Sequence, residues 1–287
     1  MRRIKLKAPA KINFTLDIAG KREDGFHNIR SIMHTIDLYD YITIELEKEY
    51  CDKEIIISGN SKEIPYDERN LAWKAANAFL TEANICQAKV AIYTEKNIPV
   101  EAGLAGGSAD AAAVLKGLNE LYDNILSENE IDKLCAKLGS DLNFCLRGGC
   151  AICSSRGEKI QPLPYIDTPI SIVKPRYFKT SAKEAYQEFD KQDKLTKSNS
   201  TEKLIPLILR GNFDKSLISN DLEKPLCNKY NAINNLKKFL KNSYMTGSGP
   251  TFFVLNKELD ILFEPDEFIF HTNLKTTNRG VEVIQKD

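Results

Sequence analysis

The chain has 287 residues, a length that suggests two packed domains at roughly 100 to 200 residues each. Forty Lys and Arg balance forty Asp and Glu, so no cationic surplus points to a nucleic-acid backbone or an anionic membrane surface. With 42% hydrophobic and 28% charged residues the composition is that of a folded globule, and no run approaches the roughly 18 uninterrupted apolar residues of a membrane span.

The start, Met1 to Phe14, is basic but has no apolar run followed by a cleavage site, so no export signal is expected and a cytoplasmic location follows. Ile12, Phe14, Leu16 and Ile18 are apolar at every second position, which predicts a strand with one buried face; the opposite face carries Lys11, Asn13, Thr15 and Asp17. Asp24-Gly25 predicts a tight turn that sends the chain back through Ile29 to Ile36. Strands are expected over Tyr41 to Leu46 and Glu54 to Ile57. A helix capped by Asn70 then presents Ala72, Ala76, Phe79 and Leu80 on one side, and a strand runs from Val90 to Thr94.

Pro99 opens a glycine-rich loop that runs into Ser108, followed by a helix from Ala109 to Tyr122 with Val114, Leu118 and Leu121 as its apolar stripe. Ser127 and Glu130 match a capping box for a helix through Leu138, and Gly139 stands where a left-handed C-cap is expected. Gly148-Gly149 turns the chain into a strand from Cys150 to Ser154. That strand holds the single C-x-x-C pair, Cys150 and Cys153. Seven cysteines, an odd number, and three dispersed histidines fit reduced structural thiols better than zinc, redox chemistry or a disulfide framework.

Prolines at 162, 164 and 169 precede a new strand, Ile170 to Lys174, which places a domain boundary near residue 160 and divides the chain into 1–160 and 161–287. The second half reads as helices over Ala182 to Phe189, Leu204 to Leu209 and Asn228 to Lys241, with strands over Thr251 to Leu255 and Val281 to Ile284. Lys191 to Lys203 is the most polar stretch and is expected to be a surface loop. The sequence contains no internal repeat.

The strongest chemical signal is Pro99-Val100-Glu101-Ala102-Gly103-Leu104-Ala105-Gly106-Gly107-Ser108-Ala109-Asp110. Glycines let backbone approach an anion, and a helix that begins directly afterwards aims its free N–H groups and dipole at the same place. The spacing is neither that of a Walker A loop nor that of a dinucleotide-binding GxGxxG turn. On these residues alone phosphate binding and an ordinary turn both stay open. The same holds for Thr246-Gly247-Ser248-Gly249-Pro250. Lys11 is either a solvated lysine or a site residue, and Asp141 either a helix cap or a reactive carboxylate.

Four segments together resemble the superfamily of galactokinase, homoserine kinase, mevalonate kinase and phosphomevalonate kinase (GHMP kinases). They are Ala8 to Phe14 with Gly20 to His27, Ile98 to Asp110, Gly139-Ser140-Asp141, and Thr246 to Pro250. Asn70 to Ala76 and Asn220 to Glu223 are weaker supports. The Lys11-x-Asn13 strand followed by Arg22-x-Asp24-Gly25-Phe26-His27 narrows the resemblance to the family of kinases acting on 4-diphosphocytidyl-2-C-methyl-D-erythritol. Phe26 stands where that family usually has Tyr, and Phe14 where Leu is commoner.

The resemblance implies an α+β fold of two GHMP-kinase domains, the first like ribosomal protein S5 domain 2 and the second ferredoxin-like, with the active site in the cleft between them. It implies ATP as co-substrate, with Mg2+, and transfer of the γ-phosphoryl group to the C2 hydroxyl in isoprenoid-precursor synthesis. Asp141 is implied as the base and Lys11 as its partner. Pro99, Val100, Glu101, Ala102, Gly103, Leu104, Ala105, Gly106, Gly107, Ser108 and Ala109 would bind ATP. Phe26 and Tyr186 would stack on the cytosine, His27 would read its edge, and Asn13 would contact the erythritol or its phosphate. A small-molecule substrate and ATP are the expected partners, with no nucleic acid, membrane or obligatory protein. The rival readings are another GHMP small-molecule kinase, a non-catalytic nucleotide or sugar binder of this fold, and a nucleic-acid binder. Phe26-His27 speaks against the first, the presence of both Lys11 and Asp141 against the second, and the neutral charge against the third.

Overall fold

The computed structural model describes residues 1–48, 50–192, 198–255, 264 and 266–287. Its frame is one long antiparallel hairpin, β1 (Arg2–Lys21) and β2 (His27–Glu47), paired from Arg2 opposite Leu46 to Lys21 opposite His27. The two strands predicted over Ile29 to Ile36 and Tyr41 to Leu46 are thus a single strand. Its register shifts where Ala10 faces Ile36 and Pro9 faces Tyr39, and this irregularity is what looked like an interruption in the sequence.

The shift divides the outer edge of β2 between two partners. One half pairs with β4 (Ala88–Glu95), beside which β3 (Lys53–Gly59) runs parallel. The other half pairs with β5 (Cys150–Ser155), which turns back into β6 (Lys159–Leu163). Three helices cover one face of the sheet: α1 (Leu71–Glu82), α2 (Gly106–Leu121) and α3 (Glu128–Leu138). They bury Ala76, Phe79, Val114, Leu118 and Leu134 in one cluster with Ile4, Leu6, Ile42 and Ile44 of the hairpin. The short α4 (Leu142–Arg147) follows.

Asn70 caps α1 by accepting the Ala72 N–H at 2.9 Å, and Ser127 and Glu130 form the predicted capping box on α3. Gly139 does not take the expected left-handed cap: at φ 176 it is extended, and this straightens the path into Asp141.

The second half begins with β7 (Pro169–Pro175), α5 (Ala182–Asp190) and α6 (Ser200–Leu209). Of the stretch Lys191 to Lys203 expected as a loop, 193–197 lie outside the described residues, and 200–203 form the first turn of α6. A two-residue strand, β8 (Ser219–Asn220), pairs in parallel with β1. The single helix expected over Asn228 to Lys241 is two, α7 (Glu223–Lys229) and α8 (Asn231–Phe239). They break at Tyr230, whose extended backbone (φ −118, ψ 113) places its ring 4.9 Å from that of Phe178 and its hydroxyl on Glu184.

β9 (Tyr244–Met245), β10 (Phe252–Val254) and β7 form a second sheet with β11 (Phe268–Thr277), a strand the sequence did not signal. β11 also reaches β2 through Thr276 and Thr277. The final strand, β12 (Glu282–Lys286), pairs with Ile4 to Lys7 of β1, so the chain end joins the first sheet rather than the second half. No helix among the described residues is long and apolar enough to cross a membrane.

Candidate active site

Strand alternation puts Lys11 and Asn13 on one face of β1, and the structure buries that face: Lys11 is 3% and Asn13 1% exposed. The expected solvated face is covered because the Thr246 turn, β8 and the first residues of α6 lie across it. Thr246 Oγ1 accepts the Asn13 N–H at 3.1 Å, and Thr201 and Thr15 join their hydroxyls at 2.7 Å. Lys11 Nζ donates to Asn13 Oδ1 at 2.8 Å and to the Gly103 carbonyl at 3.0 Å, and lies 3.9 Å from Asp141 Oδ2. Asn13 Nδ2 donates to Ser31 Oγ, which in turn donates to the Thr15 carbonyl. The lysine is therefore held in one rotamer by neutral acceptors, and its charge faces Asp141.

Asp141 occupies the N-cap position of α4, but its side chain makes no capping bond. The capping alternative left open by the sequence fails, and the carboxylate stays free toward the cleft. Behind it, burial raises the Cys145 and Cys153 thiols well above the ordinary cysteine range, with the Asp141 charge as a smaller cause. Cys150 is pushed up to about 12 by burial alone. All seven cysteines are free, and the C-x-x-C pair is a neutral wall of the core.

The glycine-rich loop takes a left-handed backbone at Glu101, Gly103 and Ala105, then enters α2 at Gly106, three residues before the predicted start. Gly106, Gly107 and Ser108 are consequently the first helical residues, and their N–H groups have no partner within the helix. No side chain caps this end. An anion is the natural partner there. Pro99 to Gly103 and Ala105 to Ser108 line a cavity of about 1020 Å³, whereas Leu104 and Ala109, also expected to bind, point into the core and are 1% and 0% exposed. Leu104 contributes through its carbonyl, which accepts the Lys11 N–H at 3.1 Å.

The second glycine turn closes on the first. Asn220 holds it by donating Nδ2 to the carbonyls of Met245 and Gly247, at 2.9 and 2.8 Å. Thr180 Oγ1 donates to the Ser248 carbonyl at 2.8 Å.

Phe26, His27 and Tyr186 line the same cavity. Phe26 is 51% exposed, with the Arg156 guanidinium 5.2 Å from its ring centre. Tyr186 lies parallel to His27 with ring centres 4.8 Å apart, so one aromatic stack is already in place on the cavity wall. His27 Nε2 is 2.7 Å from Asp190 Oδ1, and Asp190 also accepts from Lys21 at 2.6 Å.

Sequence reasoning missed Asn220, Arg156, Asp190 and Lys96; the first three reach the site from other segments, and Lys96 stands three residues before the loop opens at Pro99. The only signal for any of them was Asn220, within the weak motif Asn220 to Glu223. Among the described residues no three His, Cys, Asp or Glu side chains converge as a metal cage. Mg2+ does not need one, since it takes one or two carboxylates together with phosphate oxygens and water. The Ser108 hydroxyl, on the cavity wall at the first turn of α2, is an oxygen donor that fits such a set.

Residues 70–149 match the family model described as GHMP kinases N terminal domain. A protein of Clostridium tetani named 4-diphosphocytidyl-2-C-methyl-D-erythritol kinase is 43% identical over 258 residues, covering 87% of this chain and 90% of its own. The namesake from Caldicellulosiruptor saccharolyticus is 41% identical over 286 residues, covering 95% and 96%. Among solved structures, a 4-(cytidine 5'-diphospho)-2C-methyl-D-erythritol kinase superposes with a TM-score of 0.69 at 29% identity, covering 90% of each chain. Homoserine kinase from Cytophaga hutchinsonii reaches 0.72 at 19% identity, covering 98% and 97%, and shares the fold.

Proposed function

The chain belongs to the 4-diphosphocytidyl-2-C-methyl-D-erythritol kinase family, and from that premise we propose that Lys11 and Asp141 mark the point where the γ-phosphoryl group of ATP meets the C2 hydroxyl of the substrate. The enzyme is an ATP-dependent kinase of isoprenoid-precursor synthesis that forms the 2-phosphate and ADP. The observation that carries the residue assignment is the Lys11–Asp141 pair, 3.9 Å apart, on the wall of one cavity that the α2 N-terminus and Phe26, His27 and Tyr186 also line.

The N–H groups of Gly106, Gly107 and Ser108 bind the phosphates, with the helix dipole behind them. The cytidine lies at the Phe26 end, where an exposed ring and a histidine offer stacking and hydrogen bonding. Asn13, locked between Lys11, Ser31 and Thr246, orients the erythritol. The hydroxyl oxygen attacks the γ-phosphorus, the bond to the β–γ bridging oxygen breaks, and ADP leaves. The hydroxyl proton passes to Asp141, and the Lys11 charge stabilises the oxygen as it loses that proton. Magnesium bound with ATP would neutralise charge on the β and γ oxygens. Phosphoryl transfer asks mostly for positioning, and the hydrogen bonds that fix Lys11 and Asn13 before substrate arrives supply it.

The reading takes residues 1–160, with β12 returned to them, as one domain and the remainder as the second. Seven free cysteines support a reducing, cytoplasmic location. The test is ADP release with ATP and Mg2+, offering 4-diphosphocytidyl-2-C-methyl-D-erythritol, mevalonate and homoserine at equal concentration. Release with the cytidine compound alone is expected. Release with mevalonate or homoserine instead would refute the cytidine end of the site.

A further inference from the structure

The connection from β7 to α5 is shaped by a buried charge. Lys174, on β7, is 2% exposed, and its ammonium donates to the carbonyls of Pro175, Arg176 and Phe178 at 3.1, 3.4 and 3.0 Å. Those three acceptors match the three protons a lysine can donate, so the connection is wrapped around the ammonium. The next two residues go to different partners. Thr180 donates to the Ser248 carbonyl, on the glycine turn that meets Lys11. Lys179 turns outward and reaches the first half of the chain.

Lys179 Nζ stands 3.0 Å from Glu63 Oε2 and 3.7 Å from Glu101 Oε2. Glu63 belongs to the connection between β3 and α1, and Glu101 to the glycine loop, where its backbone is left-handed at φ 50. One ammonium thus joins three segments. Ile64, Thr180 and Glu101 line the cavity, and Glu63 and Lys179 are the solvent-facing neighbours of the first two, so the ion pairs sit on the cavity rim.

We propose that Lys179 is a latch: its pairs with Glu63 and Glu101 hold the glycine loop against the second half of the chain while ATP is bound, and their opening governs how fast the nucleotide leaves. The inference rests on the assignment of the glycine loop to the phosphates.

Two observations give the reason. The loop is restrained from both sides, since Lys11 donates to the Gly103 carbonyl from within and Lys179 pairs with Glu101, two residues earlier, from the rim. The inner restraint is permanent, because Lys11 is buried on fixed acceptors. The outer one is built to open. Its three side chains are 39%, 52% and 55% exposed, and ion pairs at that exposure are weak and screened by salt. Both pairs share one ammonium, so a single side-chain movement releases both carboxylates. Lys179 acts through the loop and is therefore a positioning residue.

The experiment is stopped-flow release of a fluorescent, non-hydrolysable ATP analogue and Mg2+ from the full chain, chased with unlabelled ATP. Lys179→Met should speed release about fivefold, the effect of losing two exposed ion pairs of ordinary strength, and leave the KM for the cytidine substrate unchanged. Release from the unmodified enzyme should quicken between about 0.05 M and about 0.5 M salt, and release from Lys179→Met should quicken less. Exchanging the charges, Glu63→Lys together with Lys179→Glu, should bring release back toward the unmodified rate, whereas Lys179→Glu alone should not. Unaltered release in Lys179→Met overturns the latch, as does release from the unmodified enzyme that salt does not quicken, a measurement that needs no variant to fold. Release that stays fast in the exchanged variant also overturns it, because the lysine would then act on the phosphates directly. Failure of the unmodified enzyme to bind the analogue overturns the assignment of the loop and the latch with it.

Discussion

Gly103 and Gly247 meet at a separation that admits no side chain at either position. A Cβ on Gly103 would stand 2.3 Å from the Thr246 carbonyl oxygen, and one on Gly247 would stand 2.7 Å from the Gly103 carbonyl oxygen and 2.9 Å from Lys11 Nζ. Both residues also have left-handed backbone, at φ 71 and 54. The second-half turn thus reaches the phosphate loop and the lysine together, and glycine at both positions is what permits the contact.

Gly247→Ala should therefore open the cleft at the point of transfer. The clash is with backbone and an ammonium that is itself hydrogen-bonded, so local relaxation is restricted. Turnover is expected to fall about 100-fold, since a displacement of an ångström at reacting groups costs about that much. Stability should fall by roughly 1 to 3 kcal/mol from the strained φ. Steady-state kinetics with urea unfolding checks both, and unchanged turnover would show that the contact does not position Lys11.

Phe26→Ala should weaken binding of the cytidine substrate and spare ATP, because Phe26 offers an exposed ring on the cavity wall and belongs to neither the glycine loop nor the α2 N-terminus. A loss of about 1 kcal/mol or more from stacking corresponds to a KM rise of several-fold. Equal weakening for both ligands would place Phe26 outside the cytidine end.

His34 gives an acid-side prediction. It is buried between Phe14 and Tyr165, with Nδ1 3.0 Å from the Thr35 carbonyl and Nε2 accepting the Ile166 N–H at 3.3 Å, so both ring nitrogens are committed to the neutral form. Burial pushes it down to about 4. The unfolded chain takes up the proton first on acidification, so the stability His34 contributes is present above the ordinary histidine value and lost as pH falls from about 6.5 toward about 4. Urea unfolding should show a loss of about 2 kcal/mol between about pH 7 and about pH 5 from this residue. His34→Gln, which can keep a donor and an acceptor, should reduce that loss; an undiminished loss would assign it to other groups.

What the sequence made legible was local. Alternation along β1 paired Lys11 with Asn13, and the caps at Asn70 and Ser127 followed from residue type and spacing. What it hid depended on distant partners. Nothing near Lys11 announces that Thr246 and Gly103 will bury it, and nothing near Tyr230 announces that Phe178 and Glu184 will break a helix there. β12 looks like a second-half strand until its partner, β1, is known. Lys96, Asp40 and Asp110 meet from three segments, and of the three only Asp110 lies in a stretch that the sequence singled out.

The most direct test is Asp141→Asn, assayed for turnover and, separately, for binding of ATP and of the cytidine substrate. The carboxamide keeps the shape and removes the proton acceptor beside Lys11. Both ligands should bind with near-normal affinity while turnover falls by roughly 100-fold or more, the usual contribution of a positioned base. Near-normal turnover in a variant that binds both ligands would contradict the placement of phosphoryl transfer at the Lys11–Asp141 pair.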